Sequence, residues 1–161
     1  MATLYLLRHA HAGDASRWEG DDDLRPLSAK GRRQAERLGR LLAAGRDEGP
    51  DLLVTSPRLR AAQTAELVGR ALDIPFVEDR RVVGPLYAEL VEDIVTAAGA
   101  TERPCLVGHD PDFSELLGEL IGVAAVPMRK GAIARVDFEG RIRSGRGVIR
   151  LLLPPELIPD G

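Results

Sequence analysis

The sequence predicts an α/β fold, a three-layer sandwich in which helices cover both faces of a mostly parallel central sheet. Short apolar runs suited to buried strands alternate along the chain with longer segments of helical periodicity. The order strand, helix, strand, helix, strand, helix is typical of parallel sheets with helical connections. With 161 residues and 44% hydrophobic content, we expect a single domain over residues 1–161.

The first strand and the first helix are predicted from an apolar run and from a pair of helix-end signals. The run at residues 4–7 indicates a buried strand. Residues 13–27 are rich in Gly and Asp, so we expect an exposed loop whose acidic triplet Asp21–Asp23 is solvated surface. Ser28 predicts an N-cap and Gly45 a helix end. The apolar face of this helix is expected to carry Ala35, Leu38, Leu41 and Leu42.

The second strand and helix are predicted from the segment "DLLVTSPRLR". Residues 51–56 form an apolar run bounded by polar residues, which indicates another buried strand. Ser56 followed by Pro57 is typical of a helix start, with Ser as the N-cap and Pro at the first helical position. The helix is expected to end near Leu72.

The third strand and the remaining elements follow the same pattern. Residues 104–110, "PCLVGHD", predict a buried strand, and Asp110 with Pro111 predicts the cap and first turn of a helix that reaches Ile121. Weaker signals predict an extended piece at 74–79, a helix at 87–98 and closing strands at 132–140 and 147–155.

Composition excludes several classes of protein. The formal net charge of −3 argues against a general nucleic-acid binder, which needs a basic surface. Cys105 is the only cysteine and lies in an apolar run, so we expect a packed, inert thiol. The first apolar run ends at Arg8 and no segment has the ~20 apolar residues of a membrane helix. We therefore expect a cytoplasmic protein with no membrane partner.

Polar clusters follow each of the three predicted parallel strands. They are "LLRHAH" with Arg8 and His9, "LVTSPRLR" with Arg58 and Arg60, and "CLVGHD" with His109. In open α/β sheets the ligand site lies at the carboxyl ends of the strands, so these side chains are expected to converge. Either Arg58 or Arg60 could supply the second guanidinium on this reasoning alone.

Two guanidiniums beside two imidazoles predict a phosphate site. Arginine pairs with phosphate through two parallel hydrogen bonds, and the predicted helix starts at 56–58 and 110–111 add positive dipole ends. In such a pocket a neutral imidazole can attack phosphorus while the arginines offset charge on the phosphoryl oxygens.

At this point the sequence resembles the histidine phosphatase superfamily, in its phosphoglycerate mutase-like fold. The motifs are Arg-His-Ala in "LLRHAHA", Ser-Pro-x-x-Arg-Ala-x-x-Thr in "SPRLRAAQTA", and Gly-His in "LVGHDPDFSELL". The second motif selects Arg60 over Arg58, which is expected on the helix surface. The segment "DLRPLSAKGRRQAERLG" and the closing strands are similar to the SixA-like phosphohistidine phosphatases. The resemblance covers essentially the whole chain and implies the minimal form of the fold.

The resemblance implies a role for each matched residue. His9 would take the phosphoryl group and form a phosphohistidine intermediate. Arg8 and Arg60 would bind phosphoryl oxygens, and His109 would donate a hydrogen bond to them. No metal or other cofactor is required by this scheme. His11 lies at a variable position of the family, so it receives no role and is expected at the rim of the pocket.

The substrate class is predicted from what the sequence lacks. Relatives that cleave phosphate esters need a carboxylic acid to protonate an alkoxide, whereas phosphohistidine releases imidazole, a better leaving group. Glu89 is the best acid candidate, ahead of Glu19 and Asp112, but a solvated carboxylate is the preferred interpretation. Residues 71–103 leave no room for a lid insertion. We therefore expect a phosphohistidine protein as substrate, with a small phosphate ester or mutase substrate as the alternative.

Two rival functions remain open. A metal-dependent hydrolase would use His9, His11, His109 and Asp110 as ligands, although a third ligand at a standard spacing is missing. A non-catalytic phosphate-binding module would keep the fold without turnover. The oligomeric state is not predicted by any feature of the sequence.

Overall fold

The computed structural model describes residues 1–160, without the side chain of Arg46, and contains one six-stranded sheet. The strands are β1 (Ala2–Arg8), β2 (Leu52–Thr55), β3 (Phe76–Glu78), β4 (Pro104–Gly108), β5 (Ile133–Phe138) and β6 (Val148–Leu153). The helices are α1 (Ala29–Ala44), α2 (Leu59–Leu72), α3 (Ala88–Ala98) and α4 (Asp112–Ile121). The order of strands across the sheet is β3-β2-β4-β1-β5-β6. The predicted α/β class and mostly parallel sheet are confirmed.

The topology brings three strand ends to one edge of the sheet. Strand β4 lies between β1 and β2 and is parallel to both, with Arg8 opposite Gly108 and Thr55 opposite Val107. Strands β5 and β6 are antiparallel additions beyond β1. The segments that follow β1, β2 and β4 therefore leave the sheet side by side, as the order of elements predicted.

Alternation along β1 divides the core into two apolar layers. Leu4 and Leu6 pack with residues of α3 and α4, whereas Tyr5 and Leu7 pack with residues of α1 and α2. The sheet is thus covered on both faces, which completes the three layers. Cys105 is fully buried in the second layer, and burial raises the pKa of its thiol.

Helix starts differ from the sequence expectation at the two Pro signals. Helix α2 begins at Leu59, and Ser56 caps no helical turn. Helix α4 begins at Asp112 with Pro111 as its N-cap residue, one position later than predicted. The Ser28 cap of α1 and its end at Gly45 are confirmed.

Two smaller features complete the description. Leu41 is exposed, because the buried face of α1 is carried mainly by Gly31, Ala35, Leu38 and Gly39. Over residues 1–160, none of the helices combines the length and the apolar character that a membrane span requires.

Candidate active site

His9 follows the last residue of β1 and is fixed by its own backbone surroundings. Its N–H donates to the carbonyl oxygen of Gly108 at 2.9 Å, so the residue is tied to the neighbouring strand β4. The ring Nδ1 lies 2.7 Å from the carbonyl oxygen of Ala10. A carbonyl only accepts, so Nδ1 carries the proton and the Nε2 lone pair of the neutral ring is free.

Burial and neighbouring cations keep the imidazole of His9 neutral. The residue is 5% exposed. Burial lowers its pKa to about 3, and the charges of Arg60, Arg8 and Lys130 act in the same direction against the hydrogen bond to Ala10. At neutral pH the ring is a neutral base with an available nitrogen, which is the form that a nucleophile needs.

His109 lies beside His9 and is oriented by a buried serine. The two ring centroids are 5.3 Å apart. The Nε2 of His109 is 2.7 Å from the Oγ of Ser56, while its Nδ1 is buried with no partner among residues 1–160. Burial, followed by the charge of His9, lowers the pKa of His109 to about 3. The ring is therefore neutral, with Nε2 held by Ser56 and Nδ1 buried without a partner in the described chain.

Arg8 and Arg60 flank the two imidazoles, and carboxylates of the surrounding loops hold both guanidiniums. The Nη1 of Arg8 donates to the carbonyl oxygen of Met128 at 2.8 Å and lies 3.4 Å from the carboxylate of Asp110. Arg60 donates from Nη1 to the carbonyl oxygen of Asp22 at 2.8 Å, and its Nη2 is 3.2 Å from the Asp22 carboxylate. The Nε of each arginine is buried without a hydrogen-bond partner in the described chain.

The acidic triplet at 21–23 is exposed, as expected, but two of its carboxylates also pair with arginines at the site. Asp22 pairs with Arg60 and also with Arg25, whose Nε lies 2.8 Å from the carboxylate. Asp23 pairs with the Nε of Arg58 at 3.0 Å. The surrounding cations, beginning with the hydrogen bond from Arg25, lower the pKa of Asp22. Two carboxylates, those of Asp22 and Asp23, thus offset part of the charge of three arginines.

Arg58 and Arg60 differ in the way that the family motif implied. Arg60 lies in the first turn of α2 with its side chain 6% exposed, and it faces the imidazoles closely enough to lower the pKa of both. Arg58 occupies the N-cap position and has a side chain that is 32% exposed and paired with Asp23. The structure therefore brings Arg60 together with Arg8, His9 and His109, and leaves Arg58 at the rim.

With this geometry described, comparison with known proteins gives the family. Residues 4–83 match the model of the histidine phosphatase superfamily (branch 1). An uncharacterised protein of Picosynechococcus is 36% identical over 117 residues, which cover 70% of this chain and 68% of that protein. The chain belongs to the histidine phosphatase superfamily.

Solved structures of the superfamily match over nearly the whole chain. A protein from Agrobacterium tumefaciens assigned as the phosphohistidine phosphatase SixA is 29% identical, with a TM-score of 0.77 over 96% of this chain and 99% of that one. The protein histidine phosphatase SixA complexed with tungstate is 28% identical, with a TM-score of 0.73 over 95% and 97% of the two chains.

Other curated members of the superfamily match only in part. The 8-oxo-(d)GTP phosphatase of Mycolicibacterium smegmatis is 42% identical over 71 residues, which are 44% of this chain and 21% of that protein. A phosphatase of Bacillus subtilis named PhoE is matched over 39% of its length. The chain thus spans less than half of the length of these two relatives.

Thr64 explains why the second superfamily motif ends in threonine. Its hydroxyl donates to the carbonyl oxygen of Arg60 at 2.7 Å and accepts from the N–H of Ala10 at 3.1 Å. This hydroxyl therefore connects the segment that follows His9 with the helical turn that carries Arg60, and sets the two strand ends relative to each other.

His11 is half-buried and makes contacts that join two elements, and its expected place at the rim stays a prediction. Its Nδ1 is 2.7 Å from the Oγ of Ser28, and its N–H donates to Gln34 at 3.0 Å. Its carbonyl oxygen accepts from the N–H of Ser28 at 3.0 Å. His11 thus joins the segment after β1 to the start of α1.

None of the acid candidates forms a hydrogen bond or ion pair with Arg8, His9, Arg60 or His109 within residues 1–160. Glu89 is an exposed residue in the first turn of α3 and makes no hydrogen bond or ion pair with residues 1–160. Glu19 is also exposed, and the carboxylate of Asp112 packs against Gly84. The part of the chain that the structure describes contains no group of three or more His, Cys, Asp or Glu residues arranged to hold a metal.

Sequence reasoning missed four residues that shape the site: Ser56, Asp22, Arg25 and Lys130. Ser56 was interpreted as a helix cap and Asp22 as surface, because both residue types have common local roles. The segment "DDLRPLS" contains Asp22 and Arg25 together, and a buried arginine requires a carboxylate partner nearby. Lys130 carried no signal, since its proximity to Arg8 depends on the packing of a distant turn.

Proposed function

We propose that this protein is a phosphatase that removes the phosphoryl group from phosphohistidine on a protein, with a phosphohistidine intermediate on His9. The observation that carries the proposal is the arrangement of two neutral imidazoles between two arginines whose neighbouring carboxylates are engaged. The comparison with two SixA proteins over nearly full length supports the same substrate class.

Unsatisfied donors favour an oxyanion as the ligand. The Nε atoms of Arg8 and Arg60 and the Nδ1 of His109 are buried without hydrogen-bond partners within residues 1–160. Buried polar groups in native proteins are almost always satisfied, so a ligand that accepts hydrogen bonds is expected between them. A phosphoryl group has three such oxygens. The tungstate in the SixA complex is likewise a tetrahedral oxyanion.

In the first step, the Nε2 lone pair of His9 attacks phosphorus. The hydrogen bond from Nδ1 to the carbonyl oxygen of Ala10 fixes the ring and stabilises the positive charge that it gains. A new P–N bond forms on His9, and the P–N bond of the substrate breaks with its electron pair on the substrate ring, which is protonated at its other nitrogen and so leaves as neutral imidazole. Arg8 and Arg60 offset the charge on the phosphoryl oxygens during transfer.

In the second step, water attacks phosphorus of the intermediate. The P–N bond to His9 breaks, its electron pair returns to Nε2, and phosphate is released. His109 contributes a hydrogen bond when Ser56 donates to its Nε2, because this arrangement places the ring proton on Nδ1. The low pKa of His109 keeps the ring neutral.

The engaged carboxylates favour phosphohistidine over phosphate esters. Asp22 is held ionised by Arg25 and Arg60, so it is a poor proton donor. Asp110 accepts from the N–H and hydroxyl of Ser114 at 3.0 and 2.6 Å, beside Arg8. An alkoxide leaving group needs a proton, whereas imidazole is released more easily. The short connection between α2 and β4, without a lid, suits a phosphoryl group presented by a protein surface.

A small-molecule phosphatase is the second candidate. It is favoured by the local match to the 8-oxo-(d)GTP phosphatase, which covers 44% of this chain. In that case Glu89 would have to supply the proton, after moving from its exposed position on α3.

A substrate panel tests the proposal. The wild-type protein would be given a phosphohistidine protein, imidazole phosphate, phosphoserine and a nucleoside triphosphate, in the presence and absence of a chelator. We expect kcat/KM for the two phosphoramidates to exceed that for phosphoserine, the ester whose alkoxide leaving group needs a proton, by about 10²-fold or more, the usual contribution of a positioned acid. Chelation should leave the rate unchanged.

Single-residue variants test which side chain receives the phosphoryl group. His9→Ala should abolish turnover and the acid-labile phosphoenzyme, whereas His11→Ala and Glu89→Gln should retain both. If the wild type turns over esters faster than phosphoramidates, and Glu89→Gln loses this ester activity, the small-molecule alternative is established. Phosphate binding without turnover of any substrate would establish a non-catalytic module, and loss of activity on chelation would establish a metal site.

A further inference from the structure

Lys130 lies at the tip of a turn that packs against the nucleophile segment. The N–H of Ala132 donates to the carbonyl oxygen of Arg129 at 2.9 Å, which closes a β-turn with Lys130 and Gly131 as its central residues. Gly131 has a φ of +80°, the left-handed region required at the third position of a type II turn. Lys130 therefore occupies the second position, from which its side chain projects away from the turn.

This turn is fixed to Arg8 and His9 on both sides of Lys130. The N–H of Gly131 donates to the carbonyl oxygens of Arg8 and His9 at 3.1 and 2.9 Å. The carbonyl oxygen of Met128 accepts from the Nη1 of Arg8 at 2.8 Å. The hydrogen bonds of Met128 and Gly131, on either side of Lys130, thus hold this turn against Arg8 and His9 of the candidate active site.

Lys130 differs from the other cations of the site in its lack of a counter-ion. Arg8 has Asp110, Arg60 shares Asp22 with Arg25, and Arg58 has Asp23. Lys130 has no carboxylate within ion-pair distance among residues 1–160, and it makes no side-chain hydrogen bond there. Burial and the charges of Arg8, Arg25 and Arg60 lower its pKa, whereas the charge of Asp14, which forms no ion pair with Lys130, acts in the opposite direction.

We propose that Lys130 is a further phosphoryl-binding residue, whose ammonium contacts an oxygen of the transferred group together with Arg8 and Arg60. A half-buried cation among arginines is repelled by its neighbours, and an arriving dianion converts that repulsion into attraction. The proposal rests on the phosphatase site proposed above, but it concerns phosphate affinity and does not depend on which substrate is turned over.

Calorimetric titration with inorganic phosphate tests this role. We expect Lys130→Met to raise the Kd for phosphate about tenfold or more, the loss expected for one charge-assisted hydrogen bond. Lys130→Arg should restore most of the affinity. Arg129→Met is the matched control, because it removes an adjacent, exposed cation that pairs with Glu156 and should leave the Kd unchanged.

The outcomes separate this inference from the proposed function. Equal phosphate affinity in wild type, Lys130→Met and Arg129→Met overturns the role of Lys130, whatever the substrate panel shows. Equal losses in Lys130→Met and Arg129→Met also overturn it, because they indicate a general effect of surface charge. A selective loss in Lys130→Met supports it, even if wild type turns over esters or no substrate at all.

Discussion

At the scale of single residues, the sequence around Ser56 predicts a helix cap, whereas in the structure its side chain contacts His109. Ser before Pro is typical of a helix cap. In the structure the Ser56 hydroxyl is fully buried, accepts from the N–H of Arg58 at 3.2 Å and lies 2.7 Å from His109. The Ser56 hydroxyl therefore orients the imidazole of His109, a candidate catalytic residue.

We expect Ser56→Ala to reduce kcat by about tenfold, with a smaller change in KM, because the imidazole of His109 would lose the partner that fixes its tautomer. The comparison that matters is a double-mutant cycle with His109→Ala, measured on the best substrate of the panel. In the His109→Ala background, loss of the Ser56 hydroxyl should have little further effect. Additive effects would show that Ser56 acts through another route.

At the scale of elements, the start of α1 supports the segment that carries His9. Ser28 accepts from the N–H of Gly31 as the N-cap and also bonds the ring and backbone of His11. The backbone of α1 approaches the β1 loop so closely that a Cβ on residue 31 would collide with the carbonyl oxygen of His11. Gly31 is therefore required by packing, although alanine is the better helix former.

Gly31→Ala should lower the free energy of unfolding by about 2 to 3 kcal/mol, the usual range for overpacking, despite its gain in helix propensity. Denaturant titration measures the change. Gly140→Ala is the matched control, since a Cβ there meets nothing within 4 Å and should change stability by less than about 0.5 kcal/mol. A neutral or stabilising Gly31→Ala would contradict the close approach of α1 to the β1 loop.

At the scale of the whole molecule, the sheet order creates a buried site that depends on neutral histidines. Folding brings β1 and β4 together, so that His9 and His109 are 5% and 3% exposed and have pKa values of about 3. In the unfolded chain an ordinary histidine titrates near 6.5. Between these values the unfolded state binds more protons, so stability decreases as the pH falls from about 6.5 towards 3.

The contribution of His109 can be isolated by comparing wild type with His109→Gln in phosphate-free buffer. At pH 5 protonation of the unfolded chain should cost wild type about 2 kcal/mol that His109→Gln avoids. The difference in free energy of unfolding between the two proteins should therefore change by that amount between pH 7.5 and pH 5. Parallel pH profiles would indicate that His109 is protonated normally in the folded state.

Much of the architecture was predictable because it depends on local patterns. Apolar runs and helical periodicity identify the strands and helices, and Ser28 with Gly45 bounds α1. The order of strands and crossovers then places the polar segments after β1, β2 and β4 at one sheet edge. Arg8, His9, Arg60 and His109 could be selected together for this reason, with the superfamily motif deciding between the two arginines after β2.

The sequence by itself thus determined the class of fold and four residues of the candidate site. Only the tertiary structure decided the contacts of Ser56, Asp22 and His11 and the placement of the Lys130 turn. Each of these depends on a partner at least 17 positions away or on the packing of a separate turn, as in the contact of Asp22 with Arg60. Local sequence patterns indicate which secondary structure a segment forms. The long-range contacts form only when the strands pair and the loops at their carboxyl ends meet.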